Sequence, residues 1–449
     1  MRLCSETVAM LPFEVARGVY DRARQSIGIV HFGIGAFHRA HQAWYTDLAI
    51  AAGEKNWLIC GVSLRSRSVA DQLAPQDGLY TVTERSGAEL STRLIGAVRE
   101  VLFAPDNEEQ VIARIADRAC EIVSFTVTEK GYSRGEGDAL DLVKARESFY
   151  PLLGRALAQR CAERLPGLTL LPCDNLADNG SVLARLMGEW FDAEDPATGQ
   201  WFARECRVVS SMIDRIVPRT GPDDLAALQA HLGVEDRGAV FTERFSQWVI
   251  EDNFAGSRPR WEQHGAKLVR DVTPYETAKL RMLNGAHSLL AYCGLRAGYE
   301  FVHEAVADKV LKELAQRLML EEAAQTLTPT KGQDLNAYAG ELLARFADPA
   351  LRHRLAQIAM DGTQKIPQRW LETALSLKRC GKDFEAIRTG FDAWLWHIDD
   401  GRFVDDPFGE DLKSLMKKGG RGDVIKYCFQ PDDGRDGLWP GFELLAQSF

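Results

Sequence analysis

Along the first half of the chain, short apolar runs of strand length alternate with stretches in which apolar residues recur every three or four positions. The runs cover residues 27–32, 57–63, 79–83, 92–97, 121–128, 168–173 and 207–210, with helical segments between most of them. Parallel strands need a crossover of this kind to return along a sheet, so the alternation predicts an α/β fold built on a doubly wound sheet. From about residue 245 the periodicity becomes helical, through 277–298, 302–322, 334–346 and 384–396, with few β-branched runs. A mainly α-helical second domain is expected, and the division is placed at 1–244 and 245–449, inside a window of about 240 to 275. Segments 192–200 and 326–333 read as surface loops, and the Gly- and Asp-rich stretch from Lys417 onward reads as irregular.

Length supports the division, because 449 residues exceed what one hydrophobic core of roughly 250–300 residues encloses. The 54 Lys and Arg face 64 Asp and Glu, a formal charge of -10 that repels phosphate backbones, and no basic cluster offsets it. Nucleic acid is not an expected partner. The nine cysteines are scattered, with no C-x-x-C pair and no Cys/His spacing that suits zinc, so no metal site is expected and the thiols fit a reducing compartment. Neither a secretory leader nor a membrane span is indicated, since no run of about 18 apolar residues occurs, and a cytoplasmic location is expected. Nothing in the pattern signals an oligomeric state.

The first strand runs directly into Gly33-Ile34-Gly35-Ala36-Phe37-His38, followed by a helical stretch over 37–52 that Gly53 closes. In this setting the first glycine permits a tight turn and the second admits a pyrophosphate to the backbone, which marks residues 33–37 for dinucleotide binding. A purely structural turn has the same letters, and the strand and helix on either side tip the reading towards a nucleotide. His38 stands where a small residue usually allows close helix packing. The second strand ends in Ser63-Leu64-Arg65-Ser66-Arg67-Ser68, without the acid that holds ribose hydroxyls in NAD sites. Arg65 and Arg67 would suit a 2′-phosphate and NADP, or are solvated charge. Polar residues also follow other strands, at Thr128-Glu129-Lys130-Gly131, Asp174-Asn175-Leu176 and Asp214-Arg215. These are ligand positions in an open sheet, although Asn175 also suits a helix N-cap and Asp214-Arg215 an ion pair.

The densest chemistry lies in residues 275–287. On a helix turning about 100° per residue, Lys279, Glu276, His287 and Asn284 fall at about 0°, 60°, 80° and 140°, within one arc. Oxidation of an alcohol needs a base for the hydroxyl proton, and a lysine serves if burial lowers its pKa from about 10.4 towards roughly 7–8. Lys279 is the candidate base, Asn284 a donor to the developing alkoxide and His287 an orienting group. An ordinary solvated face has the same spacing.

Together, Gly33-Ile34-Gly35-Ala36-Phe37-His38-Arg39-Ala40-His41, Thr128-Glu129-Lys130-Gly131-Tyr132, Cys173-Asp174-Asn175-Leu176, Asp214-Arg215-Ile216, Gln247-Trp248-Val249-Ile250-Glu251-Asp252 and the run from Lys279 to His287 resemble the mannitol dehydrogenase and fructuronate reductase family. The resemblance implies a metal-independent, NAD(P)-dependent dehydrogenase with an N-terminal Rossmann-type domain and a helical C-terminal domain. It implies Lys279 as general acid/base with Asn284 and His287, Asn175 as a second oxyanion-binding amide, and Glu276 on a proton path to solvent. Residues 279–284 and 360–369 look more like the fructuronate reductase (mannonate oxidoreductase) branch, which implies a sugar acid as substrate. Arg369, with Lys365 nearby, would anchor its carboxylate as a bidentate pair, or brace a helix. Asp214 joins them as a candidate substrate contact. The expected reaction interconverts D-mannonate and D-fructuronate with NAD(H) or NADP(H). A neutral polyol such as mannitol or arabinitol is the alternative substrate. A dinucleotide-binding regulator is the alternative of another class, and the Lys279, Asn284 and His287 set speaks against it.

Overall fold

Six short strands pair in parallel in the first part of the chain: β1 (Ile27–Phe32), β2 (Leu58–Ser63), β3 (Val98–Phe103), β4 (Ile122–Phe125), β5 (Thr169–Pro172) and β6 (Arg207–Val208). Their order is β3-β2-β1-β4-β5-β6, so successive crossovers run outward in one direction from β1 and, after β3, in the other from β4. The carboxyl ends of β1 and β4 flank the place where the order reverses, the ligand position of an open α/β sheet. This is a Rossmann-type arrangement. Both faces are buried: Val30, Phe32, Val62, Phe125 and Leu170 pack with helices Glu108–Ala116, Tyr150–Ala162 and Asn179–Glu194, while Ile29, Ile59, Ile122 and Leu171 pack with Gln42–Ala51. The computed structural model describes residues 1–87, 89–401, 404–431 and 436–449, and the chain divides into two units, Met1–Val272 and Thr273–Phe449.

That division lies past the expected 244/245. Gln247–Glu251 pairs antiparallel with Ser211–Asp214 and parallel with Lys267–Val269, so the chain up to Val272 belongs to the first unit. The runs expected at 79–83 and 92–97 lie outside the main sheet. They fall in Tyr80–Ser86 and Glu89–Ile95, neighbours in a separate four-stranded sheet with Ala16–Arg17 and Val240–Glu243. The expected loop at 192–200 is helical, because Asp195 accepts from the Thr198 N–H at 3.1 Å and Pro196 occupies the first turn, both signals of a helix start.

The second unit is helical around one core that includes Met282, Leu289, Leu342, Trp370, Phe391 and Trp394. The stretch after Lys417 is more regular than expected, with helix Arg421–Phe429 and a tight turn Glu443–Ser448; residues 432–435 lie outside the described residues. Three segments of this unit wind as wide π turns, Lys279–Asn284, Leu318–Ala323 and Pro367–Leu371. Among the described residues no helix is long and apolar enough to cross a membrane.

Candidate active site

The two glycines after β1 differ: the turn itself requires Gly33, whereas Gly35 leaves space in front of the backbone. Gly33 sits at φ +93°, and a Cβ there would overlap the Thr126 carbonyl oxygen. Its N–H donates to Val62 O at 2.8 Å, and the Gly35 N–H donates to Gly33 O at 2.6 Å, which closes the turn. At Gly35 a Cβ would meet only Gly33 O, at 3.8 Å, so open space stands in front of this backbone. That is the cradle a pyrophosphate requires, and the residues present fit a dinucleotide. Ile34 is buried against Gly61 of β2, which has no room for a side chain, while Ala36 and Phe37 are half-buried.

His38 replaces the usual small residue by stacking flat on His31, with centroids 3.5 Å apart and planes at 17°. The helix expected over 37–52 is accordingly two pieces, Ala36–Ala40 and Gln42–Ala51, broken at His41. His31 itself bridges β1 to β4: its Nδ1 lies 2.8 Å from Ser124 Oγ and its Nε2 2.8 Å from Thr126 Oγ1. Thr126 Oγ1 donates to Gly33 O at 2.7 Å, so the glycine turn is tied to β4 through this hydroxyl. Burial pushes the His31 imidazole down to about 3 and keeps it neutral.

Beyond β4, Thr128 and Glu129 are exposed, and Thr128 adopts φ +64°. Asp174, at the end of β5, accepts from the N–H groups of Thr128 at 2.8 Å and Val127 at 3.2 Å and from the Tyr132 hydroxyl at 2.9 Å. Burial nevertheless pushes its carboxyl up to about 6. Asn175 is exposed beside it and is not the N-cap of the following helix, a position that Asp178 occupies. The bracing amide is Asn179, whose Nδ2 donates to Ser211 O at 2.7 Å. Asp214 is buried at the end of its strand, and Arg215 pairs with Glu84 at 2.5 Å. Past β2, Arg67 pairs with Asp106, whereas Arg65 is exposed and has no hydrogen bond or ion pair among the described residues.

In the second unit the expected single helix over 277–298 is Thr273–Ala278, the wide turn Lys279–Asn284, and Gly285–Ala297. A wide turn bonds i to i+5, so positions beyond it rotate away from the uniform 100° arithmetic. Lys279 is 9% exposed and His287 8%, while Glu276 and Asn284 are half-buried, so the set does not form a solvated face. Side chains from a distant segment hold the turn. Arg369 Nη1 donates to Ser288 Oγ at 2.7 Å and, more weakly, to Asn284 O at 3.4 Å, and Trp370 Nε1 donates to Gly285 O at 3.0 Å. Gly285 permits this approach, since a Cβ would stand 3.2 Å from Arg369 O and 3.3 Å from Leu318 Cδ2. Arg281 bonds Thr326 Oγ1 at 2.9 Å and Glu372 at 3.0 Å on the same flank.

His287 packs on Phe346, centroids 4.5 Å apart, and edge-on to His353. Burial first, then the neighbouring His353, Arg345 and Arg369, hold its imidazole well below the ordinary value, so it is neutral. Burial also lowers the Arg369 guanidinium, to about 10, which leaves it charged at neutral pH. Arg369 has no carboxylate partner among the described residues, and its Nε and Nη2 remain accessible without hydrogen bonds. Lys365 donates to Met360 O at 2.6 Å, and burial followed by the Arg369 charge lowers its pKa. Motif reading missed His31, Thr126, Asn179 and Ser288 as supports of these groups, and it marked Asp174 as a ligand position where the structure shows a carboxylate that holds the loop after β4.

Comparison with known proteins agrees with the fold. Residues 27–263 match the profile of the mannitol dehydrogenase Rossmann domain and residues 271–414 that of the mannitol dehydrogenase C-terminal domain. The D-mannonate oxidoreductase of Escherichia coli (strain K12) is 40% identical over 397 residues, 85% of this chain and 82% of the relative. A mannitol 2-dehydrogenase of Aspergillus terreus is 36% identical over 419 residues, 88% and 84% of the two chains. Among solved structures, the Pseudomonas fluorescens mannitol 2-dehydrogenase ternary complex with NAD and D-mannitol superposes with a TM-score of 0.85 at 31% identity, covering 100% of this chain and 95% of that one.

Proposed function

The chain belongs to the mannitol dehydrogenase family and is an oxidoreductase acting on CH–OH groups, and from that premise we propose that its substrate pair is a sugar acid and its keto form, D-mannonate and D-fructuronate. The observation that carries the reading is Arg369, a half-buried guanidinium with no carboxylate partner and two unused nitrogens among the described residues, on the segment that holds the Lys279–Asn284 turn. A charge so placed is costly unless something anionic compensates it, and a sugar carboxylate matches its fork. Lys365 adds a second cation beside it.

In the oxidising direction Lys279 accepts the hydroxyl proton of the carbon that loses hydride. The amides of Asn284 and Asn175 donate to the developing alkoxide, and the neutral His287 imidazole orients a hydroxyl, so the oxygen gains stabilisation from groups that carry no charge. Glu276, half-buried three residues before Lys279, passes the proton towards solvent. A nicotinamide dinucleotide, when bound, supplies the hydride acceptor. Gly33 and Gly35 admit its pyrophosphate, Ile34, Ala36 and Phe37 shape that turn, and Thr128 and Glu129 line the opposite strand end. Arg65 reads the ribose and favours a 2′-phosphate. Asp214 contacts substrate.

The bonds from Arg369 to Ser288 and Asn284 favour a second reading, in which this residue is only a brace and the substrate is a neutral polyol. Nicotinamide absorbance separates the two, with NAD and NADP each crossed with mannonate/fructuronate and mannitol/fructose. The sugar-acid reading expects kcat/KM for the acid pair to exceed that for the neutral pair by at least about a hundredfold. Equal or better turnover of the neutral pair moves the chain to the polyol branch.

A further inference from the structure

Asp174 has no role in the chemistry above, yet it is a buried carboxylate beside the point where the sheet order reverses. Its Oδ1 takes the Thr128 N–H at 2.8 Å, and its Oδ2 takes the Val127 N–H at 3.2 Å and the Tyr132 hydroxyl at 2.9 Å. Successive peptides of one loop thus converge on a single side chain. The residue at their centre, Thr128, stands at φ +64°, a left-handed conformation that β-branched side chains strongly disfavour. Such backbone persists only where its surroundings over-determine it, and it gathers at ligand clamps.

The surroundings here are firm. Asn179 Nδ2 donates to the Asp174 carbonyl at 3.1 Å and to Ser211 O at 2.7 Å, and the Ser211 N–H returns a bond to Asn179 Oδ1 at 3.0 Å. The backbone of Asp174 is therefore tied to the strand Ser211–Asp214 while its carboxylate reaches to the loop after β4. The outer side of that loop, residues 128–130, is exposed at the carboxyl end of the sheet, where a dinucleotide lies in folds of this kind.

We propose that Asp174 is a positioning residue for the dinucleotide, holding the segment Thr128–Gly131 in the strained shape that cofactor binding uses. The proposal rests on the dinucleotide reading of the first unit. It is tested by direct binding of NADH and of NADPH, without substrate, in a double-mutant cycle of Asp174→Asn and Thr128→Gly. Asparagine offers one acceptor and turns an amide N–H towards a backbone N–H, so the single variant should bind roughly tenfold to a hundredfold more weakly. Glycine adopts positive φ without a clamp, so in the Thr128→Gly background the same change should cost less than about threefold.

Tyr132→Phe removes one donor from the carboxylate and leaves the backbone intact. It should weaken binding about two- to fivefold, again only with Thr128 present, and it decides the matter if Asp174→Asn fails to fold. Equal losses in both backgrounds, or no loss in either, would overturn the role assigned to Asp174 while leaving the dinucleotide reading in place. Failure of the parent protein to bind either nucleotide would overturn that reading and the proposal with it.

Discussion

Replacing Arg369 with Met separates the two readings of the substrate, because the structure divides this guanidinium between two tasks. Nη1 is spent on Ser288 Oγ at 2.7 Å and Asn284 O at 3.4 Å, while Nε and Nη2 make no bond among the described residues. A carboxylate seated on those two nitrogens gains two charge-assisted bonds of about 1.5–3 kcal/mol each. Their loss removes about 3–6 kcal/mol from binding and transition state together, a fall in kcat/KM of at least a hundredfold and nearer ten-thousandfold at the upper end. A neutral polyol loses only what the brace contributes, about 1–2 kcal/mol, or roughly tenfold. The assay is kcat/KM for mannonate and for mannitol in parent and variant, with the ratio of ratios as readout. Arg369→Lys, which keeps the charge and loses the fork, should fall between the two. If both substrates suffer equally in Arg369→Met, the residue is a brace and the carboxylate anchor is refuted.

Lys279→Ala should lower turnover by at least about a thousandfold while nucleotide affinity stays within about threefold; a rate near the parent's would remove Lys279 as the base. Gly33→Ala forces a Cβ into the Thr126 carbonyl at φ +93°, and nucleotide affinity in titration should drop beyond about a hundredfold, so intact binding would contradict the turn geometry. His31 links pH to stability. Its folded pKa, about 3, lies below the ordinary 6.5, so its contribution is complete above pH 6.5 and declines as pH falls towards 3, by about 2 kcal/mol at pH 5. Urea unfolding of His31→Gln at pH 7 and pH 5 should show that much less loss than the parent, and identical losses would place the pH dependence elsewhere.

What could be read from the chain and what could not differ by how far away the partners lie. β1 is legible to the residue at Ile27–Phe32 because an apolar run and a glycine turn are local facts. Gly33 and Gly35 are legible because a tight turn at positive φ and an open stretch of backbone call for glycine. β3 escapes notice because Arg99 and Glu100 interrupt its apolar pattern at the edge of the sheet. The wide turn at Lys279–Asn284 escapes because nothing within it specifies the extra residue; Arg369 and Trp370, 85 positions away, capture the carbonyls of Asn284 and Gly285. Thr126 reaches Gly33 O across 93 positions, and Asp174 reaches Thr128 across 46. Each of these supports is an ordinary polar residue whose meaning lies in its partner. A motif therefore names the residue types that a chemistry would demand, whereas the hydrogen bonds that hold them emerge only once strands β1, β4 and β5, or the three wide turns, have been brought side by side. Substitutions at Thr126 or Ser288 should accordingly act on affinity and geometry while every motif in the sequence still reads as intact.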